Sequence, residues 1–316
     1  MKCLGIESTA HTFGVGITDG KKELMNKKAM YKTMGGIHPR EASQFLTENA
    51  PTLFEDIDMN EIDLIAFSRG PGLGPCLRVG TVIAKALASY YELPLIGVNH
   101  CVAHIDIGKW DTGTKDPLVV YVSGANTQIL GLKGGFYRTY GETLDVGLGN
   151  ALDMFGRSLG LEFPAGPKIE KLALKGKKFI ELPYTVKGMD LAFAGLTTAG
   201  EKQAKKQEKA DLAYSFQETI FAMLVEVSER ALAHTEKKEV MLVGGVAQNQ
   251  RLRQMFTGMA EQHEAVFTVP APAYNGDNGF MIALTGLKMY EAGIRQKPEE
   301  LIPDQKWRTD NVEIKW

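Results

Sequence analysis

The chain has 316 residues, 44% hydrophobic and 23% charged, with a formal net charge of −2. That balance excludes a disordered chain and gives enough material for two domains or one large one, and it excludes nucleic-acid binding through an overall positive field, so any such binding is local or assisted by partners. Cys3, Cys76 and Cys101 form no C-x-x-C pair, and no uninterrupted apolar run reaches about 18 residues, so a reduced, cytoplasmic protein with no membrane contact is expected.

Residues 2–6 read as a short apolar strand, followed by the polar turn Glu7-Ser8-Thr9-Ala10-His11 and a second strand over 12–17. The hairpin thus carries hydroxyl and carboxyl groups at its tip, and residues 23–31 suit a third strand. Pro39 opens a helix in which Ala42, Phe45, Leu46, Ala50, Leu53 and Phe54 recur at helical spacing. Residues 62–67 form a buried strand that runs into Gly70-Pro71-Gly72-Leu73-Gly74-Pro75. This run is not G-x-G-x-x-G, and it reads as a tight turn before a helix with Leu77, Val79, Val82, Ile83, Ala86 and Leu87 on its apolar side. A strand at 93–98 then delivers Asn99-His100-Cys101-Val102-Ala103-His104.

Two imidazoles four residues apart face the same way only on a helix, where they can clamp a metal. Zinc or iron needs a further ligand, and Asp277 in Tyr274-Asn275-Gly276-Asp277-Asn278-Gly279 offers one. Spacing alone also fits a half-exposed helix face with satisfied hydrogen bonds.

After a polar linker at 110–116 the pattern restarts. Residues 118–122 are apolar, Ser123-Gly124-Ala125-Asn126-Thr127 is a small polar turn, and 128–132 resume the strand. Later, a strand at 239–243 leads into Gly244-Gly245-Val246-Ala247-Gln248-Asn249 and a helix from Gln250, repeating the strand, glycine turn and helix of 62–90. Two copies imply an α/β fold of two related lobes, with a cleft between them where glycine turns offer N–H groups to phosphate. Between the halves of the second copy the chain reads as mostly helical. Asp145 and Asp153, eight apart, fall on one helical face, and a helix with Glu170 begins after Pro164-Ala165-Gly166-Pro167. The longest helix, 211–234, buries a stripe from Leu212 to Ala231. The mixed-charge run 201–209 reads as a solvated face or loop.

Six motifs occur in order: Val98-Asn99-His100-x-x-x-His104-Ile105, Tyr121-Val122-Ser123-Gly124-x-Asn126-Thr127-Gln128, Gly141-Glu142-Thr143-Leu144-Asp145, Gly166-Pro167-Lys168-Ile169-Glu170, Gly244-Gly245-Val246-Ala247-x-Asn249 and Asp277-Asn278-Gly279. Across essentially the whole chain this resembles the universal tRNA N6-threonylcarbamoyladenosine transferase family, TsaD in bacteria, and in particular its archaeal and eukaryotic branch in the KEOPS complex. The resemblance implies an actin-like (ASKHA) α/β fold of two duplicated lobes with a nucleotide and metal cleft. The first lobe would be residues 1–113, to which the tail at about 295–316 returns. The second would be 114–294, with a helical insertion at about 136–236. It further implies one divalent metal, Fe2+ or Zn2+, on the catalytic residues His100, His104 and Asp277, with Tyr121 on or near it. Contacts to ATP or AMP and to threonylcarbamoyl-AMP would come from Tyr121, Val122, Ser123, Gly124, Ala125, Asp153, Gly166, Glu170 and Asn249. The implied reaction passes the threonylcarbamoyl group to N6 of the adenosine 3′ of the anticodon in tRNAs reading ANN codons. Implied partners are tRNA and KEOPS-type subunits: a small kinase/ATPase, a dimerising subunit and a kinase-binding subunit. No kinase-like stretch follows the last motif, so separate partners are expected.

The chemistry agrees with that assignment. Acyl transfer to a poor nucleophile needs a polarised carbonyl, which an open metal site supplies, and AMP leaves readily, so no nucleophilic Ser or Cys is required. Asp153 and Glu170 are expected to hold nucleotide hydroxyls, and Cys101 to be a small packed residue. Four features depart from the family pattern. Ala125, Ala165 and Ala194 stand where glycine, glycine and serine are usual, and Gln44 and Phe45 replace histidines in the first long helix, which bears on nucleotide affinity and partner docking. Lys168, Lys171, Lys175, Lys177 and Lys178 suit either tRNA phosphates or a solvated helix face.

Three rivals remain on sequence grounds. A zinc endopeptidase of the H-E-x-x-H type lacks its glutamate, since Cys101 occupies that position. An actin-like small-molecule kinase leaves the histidine pair without purpose. A catalytically silent nucleotide-binding scaffold has no need of His100, His104 and Asp277 together.

Overall fold

The computed structural model describes residues 1–33 and 36–316. Contacts divide the chain into two units, Met1–Asp111 with Gly276–Trp316, and Thr112–Asn275. In chain order the first contains β1 (Cys3–Glu7), β2 (Thr12–Thr18), β3 (Glu23–Met30), α1 (Pro39–Phe54), β4 (Leu64–Gly70), α2 (Gly74–Tyr90), β5 (Leu95–Asn99) and α3 (His100–Thr112). The second contains β6 (Leu118–Val122), β7 (Thr127–Lys133), β8 (Phe136–Glu142), α4 (Leu148–Ser158), α5 (Gly166–Ala173), β9 (Val186–Lys187), β10 (Asp190–Leu191), α6 (Ala194–Gln203), α7 (Lys209–Thr235), β11 (Glu239–Val243), α8 (Gln250–Gln262), β12 (Val266–Thr268) and α9 (Pro272–Asn275). Helix α10 (Gly279–Glu291) and the tail belong to the first unit.

Each unit is built on the same sheet. The first has the strand order β3-β2-β1-β4-β5 and the second β8-β7-β6-β11-β12. In both, a meander of antiparallel strands is extended by two parallel ones, since β1 pairs antiparallel with β2 and parallel with β4, as β6 does with β7 and β11. The internal repeat expected from sequence is therefore a repeat of topology, the two-lobed α/β plan. Strands buried on both faces, as helices on a sheet require, show it in their residues: β1 is CLGIE and β6 is LVVYV, and every position is buried.

Crossover helices cover the sheets because their apolar residues recur at helical spacing. Ala42, Leu46 and Ala50 of α1 and Cys76, Leu77, Ala84 and Ala88 of α2 are buried in the first unit. In the second, α7 buries a stripe from Leu212 to Leu232, and Phe216 stacks on Phe155 of α4 with ring centroids 3.9 Å apart. A pair of this kind adds about 1 kcal/mol beyond the area it buries. No helix among the described residues is long and apolar enough to cross a membrane.

Two expectations need correction. Residues 276–294, placed with the second lobe, pack in the first unit, because α10 lies directly on β1 and β2. The crossing is made of glycine: a Cβ on Gly16 would sit 2.2 Å from the Phe280 nitrogen, and one on Gly5 2.2 Å from the Ala283 nitrogen. Asp145 does not share a helical face with Asp153. It lies ahead of α4, where its carboxylate accepts from the amides of Val146 (2.7 Å), Phe193 (2.9 Å) and Ala194 (3.0 Å), closing the start of α6. The mixed-charge run 201–209, expected as a solvated face or loop, is both: no residue of it is buried, α6 runs to Gln203 and α7 starts at Lys209.

Candidate metal centre

His100 is the first residue of α3, immediately after the last residue of β5. The helix starts there because the Asn99 carboxamide oxygen accepts from the amides of Cys101 (3.0 Å) and Val102 (3.2 Å). Helical geometry then stacks His104 one turn on, with ring centroids 4.7 Å apart and planes at 86°. Asp277 arrives from the other end of the sequence, just ahead of α10. Asn278 starts that helix by accepting from the Met281 amide at 2.9 Å and holds the preceding turn by donating to the Gly276 carbonyl at 2.8 Å.

The three side chains converge. Asp277 Oδ1 lies 3.3 Å from His104 Nε2 and 3.6 Å from His100 Nε2, and the three candidate ligand atoms all fall within 4.8 Å of one another. Two ligands about 2.1 Å from an ion at a tetrahedral angle are about 3.4 Å apart, so the two separations from Asp277 suit a metal ion shared by its carboxylate and the imidazoles. The hydrogen bonding suits it too. Glu7, fully buried at the end of β1, has its Oε2 3.0 Å from His100 Nδ1, so that nitrogen donates to Glu7 and Nε2 is the atom turned toward Asp277. Glu7 Oε1 in turn accepts from the Thr9 amide at 2.7 Å and the Thr9 hydroxyl at 2.5 Å.

The electrostatics are those of a crowded charged cluster. Burial lowers the affinity of His100 for a proton, but the adjacent Glu7 carboxylate and the charge of Asp277 outweigh it and raise its pKa to about 9. Burial pushes His104 down, and the hydrogen bond to Asp277 does not restore it. For Asp277, burial raises the carboxyl, yet the His104 hydrogen bond and the charges of His100, His104 and His11 hold it well below the usual range. The Lys28 ammonium donates to the Asp277 carbonyl at 3.3 Å.

The residues expected to meet a nucleotide all lie in the second unit. Tyr121 and Val122 end β6, Tyr121 being 1% exposed, and Ser123, Gly124 and Ala125 form the turn before β7. That turn seats the start of α4: the Ser123 carbonyl accepts from the Gly149 amide (3.1 Å) and the Gly124 carbonyl from that of Asn150 (2.9 Å). Asp153, on α4, accepts from the Ala165 amide at 2.7 Å, and burial pushes its carboxyl up against that hydrogen bond and the charge of Arg157. Gly166 opens α5, and Glu170 within it accepts from the Gln250 amide at 2.6 Å. Asn249 caps α8 by accepting from the Leu252 amide at 3.0 Å and donates to Gln217 at 3.2 Å. Asp153, Glu170 and Asn249 thus each hold a helix start or turn.

The departures from the family pattern sit without strain. Among the described residues, only Glu92, Glu236 and Glu264 are non-glycines in the left-handed region, so the backbone at Ala125 needs no glycine. The Ala165 methyl is buried against Gly156, whose own Cβ would come within 2.3 Å of it. Phe45 packs on Tyr31 with centroids 5.8 Å apart, and Gln44 donates to Glu48 at 2.8 Å. Lys168 is paired with Glu162 at 3.0 Å, and Cys101 is buried.

The family model for tRNA N6-adenosine threonylcarbamoyltransferase, TsaD, matches residues 21–284. The chain belongs to that family. Proteins named tRNA N6-adenosine threonylcarbamoyltransferase from Thermococcus kodakarensis and Archaeoglobus fulgidus are 55% and 50% identical to it over 325 and 323 residues, covering the whole of both chains in each case. A Methanocaldococcus jannaschii protein named as a probable bifunctional tRNA threonylcarbamoyladenosine biosynthesis protein is 53% identical over 325 residues, with 100% of this chain and 60% of that one matched. Among solved structures, T. kodakarensis HypF superposes with a TM-score of 0.65 at 16% identity over 92% of this chain and 48% of its own, a likeness of fold. In this TsaD-family chain Tyr121 and Asn249 lie within sequence motifs and Asp153 follows from the family resemblance alone, whereas in sequence Glu7 and Thr9 are only polar groups at a hairpin tip. The available signal was a carboxylate ending an otherwise apolar strand.

Proposed function

We propose that this transferase moves a threonylcarbamoyl group from threonylcarbamoyl-AMP to N6 of the adenosine 3′ of the anticodon in ANN-decoding tRNAs. Full-length identity of 55% to a relative of that name carries the reading. In the reaction the adenosine nitrogen forms a bond to the carbamoyl carbon, the bond from that carbon to the AMP phosphate oxygen breaks, and N6 gives up a proton. A divalent metal, iron or zinc, would be held by His100, His104 and Asp277, with Tyr121 on or beside it, and when bound it polarises the carbonyl and steadies charge on its oxygen. His100 and His104 present Nε2, and Asp277 presents a carboxylate that stays ionised. The Ser123-Gly124-Ala125 turn with Tyr121 and Val122 would meet the nucleotide phosphates, while Asp153, Gly166, Glu170 and Asn249 bound the nucleoside. One oxygen of Asp153 and one of Glu170 are committed to backbone amides, and the other would take a ligand hydroxyl.

The partners in this reading are tRNA and KEOPS-type subunits, namely a small kinase/ATPase, a dimerising subunit and a kinase-binding subunit, in the cytoplasm. A companion activity is supported by the bifunctional name of the M. jannaschii relative, of which this chain matches 60%. The test supplies purified protein and partners with threonine, bicarbonate, ATP, the adenylate-forming enzyme and tRNA, and measures the modified nucleoside by mass spectrometry. The wild type should produce it, and Asp277→Ala should abolish it while nucleotide binding persists. Transfer that survives Asp277→Ala removes the metal from the reaction.

A further inference from the structure

We propose that Glu7, braced by Thr9, is a positioning residue that fixes His100 for metal binding; the proposal rests on the metal reading of His100, His104 and Asp277. Glu7 ends β1 and His100 follows β5, and the two meet because β1 and β5 flank β4 as parallel neighbours, so the carboxyl ends of all three strands lie at one edge. Glu7 is 0% exposed, and burying a carboxylate is costly unless its oxygens are occupied. Here they are. Oε1 takes the Thr9 amide and hydroxyl, and Oε2 takes His100 Nδ1 at 3.0 Å.

Three consequences follow from that geometry. The hydrogen on Nδ1 is fixed, so in the neutral ring Nε2 is the free donor atom. The imidazole cannot rotate about its bond to Cβ without breaking the bond to Glu7. The anionic carboxylate also makes the ring a stronger donor toward a cation. A carboxylate behind a ligating histidine has these effects in metalloproteins generally, and its loss weakens metal binding about 10- to 100-fold. His104 lies one helical turn further along α3 and depends on the same helix for its place, so Glu7 sets the first of the two nitrogens directly. Thr9 acts at one remove, for it keeps the carboxylate from turning away: its hydroxyl lies 3.3 Å from His100 Nδ1, beside the Glu7 oxygen it donates to.

The experiment measures zinc affinity of the full chain by chelator competition, together with the absorption of the cobalt-substituted protein and the 15N shifts of histidine-labelled protein. Glu7→Gln, which keeps shape and removes charge, should bind zinc 10- to 100-fold more weakly and show His100 as a mixture of tautomers. Thr9→Val should weaken binding in the same direction by less, and Thr9→Ser, which keeps the hydroxyl, should restore wild-type affinity. Glu7→Gln with a lowered melting temperature but unchanged zinc affinity, cobalt spectrum and His100 tautomer overturns the proposal and leaves the metal site standing. Should Glu7→Gln not fold, the Thr9→Val and Thr9→Ser pair decides, and equal zinc affinities for the two overturn it. Wild-type protein that binds no zinc overturns both this proposal and the metal reading.

Discussion

Gly16→Ala should damage the metal centre from a distance, because the glycine crossing between β2 and α10 sets where Asp277 stands. An added methyl would lie 2.2 Å from the Phe280 nitrogen and 2.6 Å from the Gly279 carbonyl carbon, all backbone atoms that no rotamer change can move. Non-bonded contact to carbon needs about 3.5 Å, so α10 must retreat from the sheet by about 1 Å. Asp277 lies three residues before Phe280 and moves with the start of the helix. Its Oδ1 would then sit beyond the present 3.3 Å from His104, whereas metal ligands tolerate about 0.2 Å. The expected costs are about 1–3 kcal/mol of stability from overpacking and about 100-fold in transfer rate from misplacement. Gly258→Ala on α8 is the control, since nothing lies within 4 Å of its added methyl and alanine favours a helix by about 1 kcal/mol. Urea unfolding and zinc titration of both variants are the assays. Gly16→Ala protein with wild-type stability and zinc affinity would mean that the crossing does not place the carboxylate.

Two further outcomes are expected. In metal-free protein the raised pKa of His100, about 9 against an ordinary 6.5, contributes stability that is complete below pH 6.5 and lost as pH rises through about 9. The loss is on the order of 3 kcal/mol, and thermal melts from pH 6 to 9.5 should show a falling midpoint that flattens in Glu7→Gln. The lowered values of His104 and Asp277 act with the opposite sign and below that window, and the thiols of Cys3 and Cys76, pushed up by burial, remove stability only as pH passes their ordinary value of about 9, so the fall between pH 6.5 and 9 is that of His100. Asn249→Ala should cost about 1 kcal/mol through the lost cap of α8 and should weaken nucleotide binding, read by urea unfolding and by calorimetry with ATP. Destabilisation with unchanged ATP affinity would confine Asn249 to a structural role.

The histidine pair and Asp277 could be marked from sequence because each sits beside its own cap: Asn99 starts α3 one residue before His100, and Asn278 starts α10 one residue after Asp277. Motifs at helix starts are local, and local chemistry survives in a linear reading. The glycines at 5, 16 and 279 are equally visible, yet their meaning is pairwise: nothing in the chain says that one packs on another, and so the membership of 276–294 in the first unit is not legible in sequence. The eight-residue spacing of Asp145 and Asp153 misleads because it spans Gly147, after which the helix begins. Strand β8, FYRTYGE, is hard to read in sequence, inside a stretch expected to be helical, because only two of its seven residues are buried, which leaves a weak apolar alternation.

The repeated sheet explains why the strand ends carry the chemistry. By topology β1 corresponds to β6 and β4 to β11, so the Glu7-Ser8-Thr9 end of β1 occupies the position that Val122-Ser123-Gly124 occupies in the second unit. Parallel strands gather their carboxyl ends at one edge of a sheet, where ligands of α/β proteins bind. One copy fills that position with a buried carboxylate, which is stable only because Thr9 and His100 satisfy it, and so commits the edge to holding imidazoles. The other fills it with small residues and with Gly244 at φ +99°, whose added Cβ would meet the Val122 carbonyl at 2.3 Å. No side chain can stand at Gly244, so that point of the edge is left to backbone atoms. A duplicated frame has thus been divided by a few residues at equivalent strand ends, and exchanging them should be destabilising in both directions: a carboxylate at Val122 would lack partners, and a valine at Glu7 would leave His100 Nδ1 and the Thr9 donors unsatisfied.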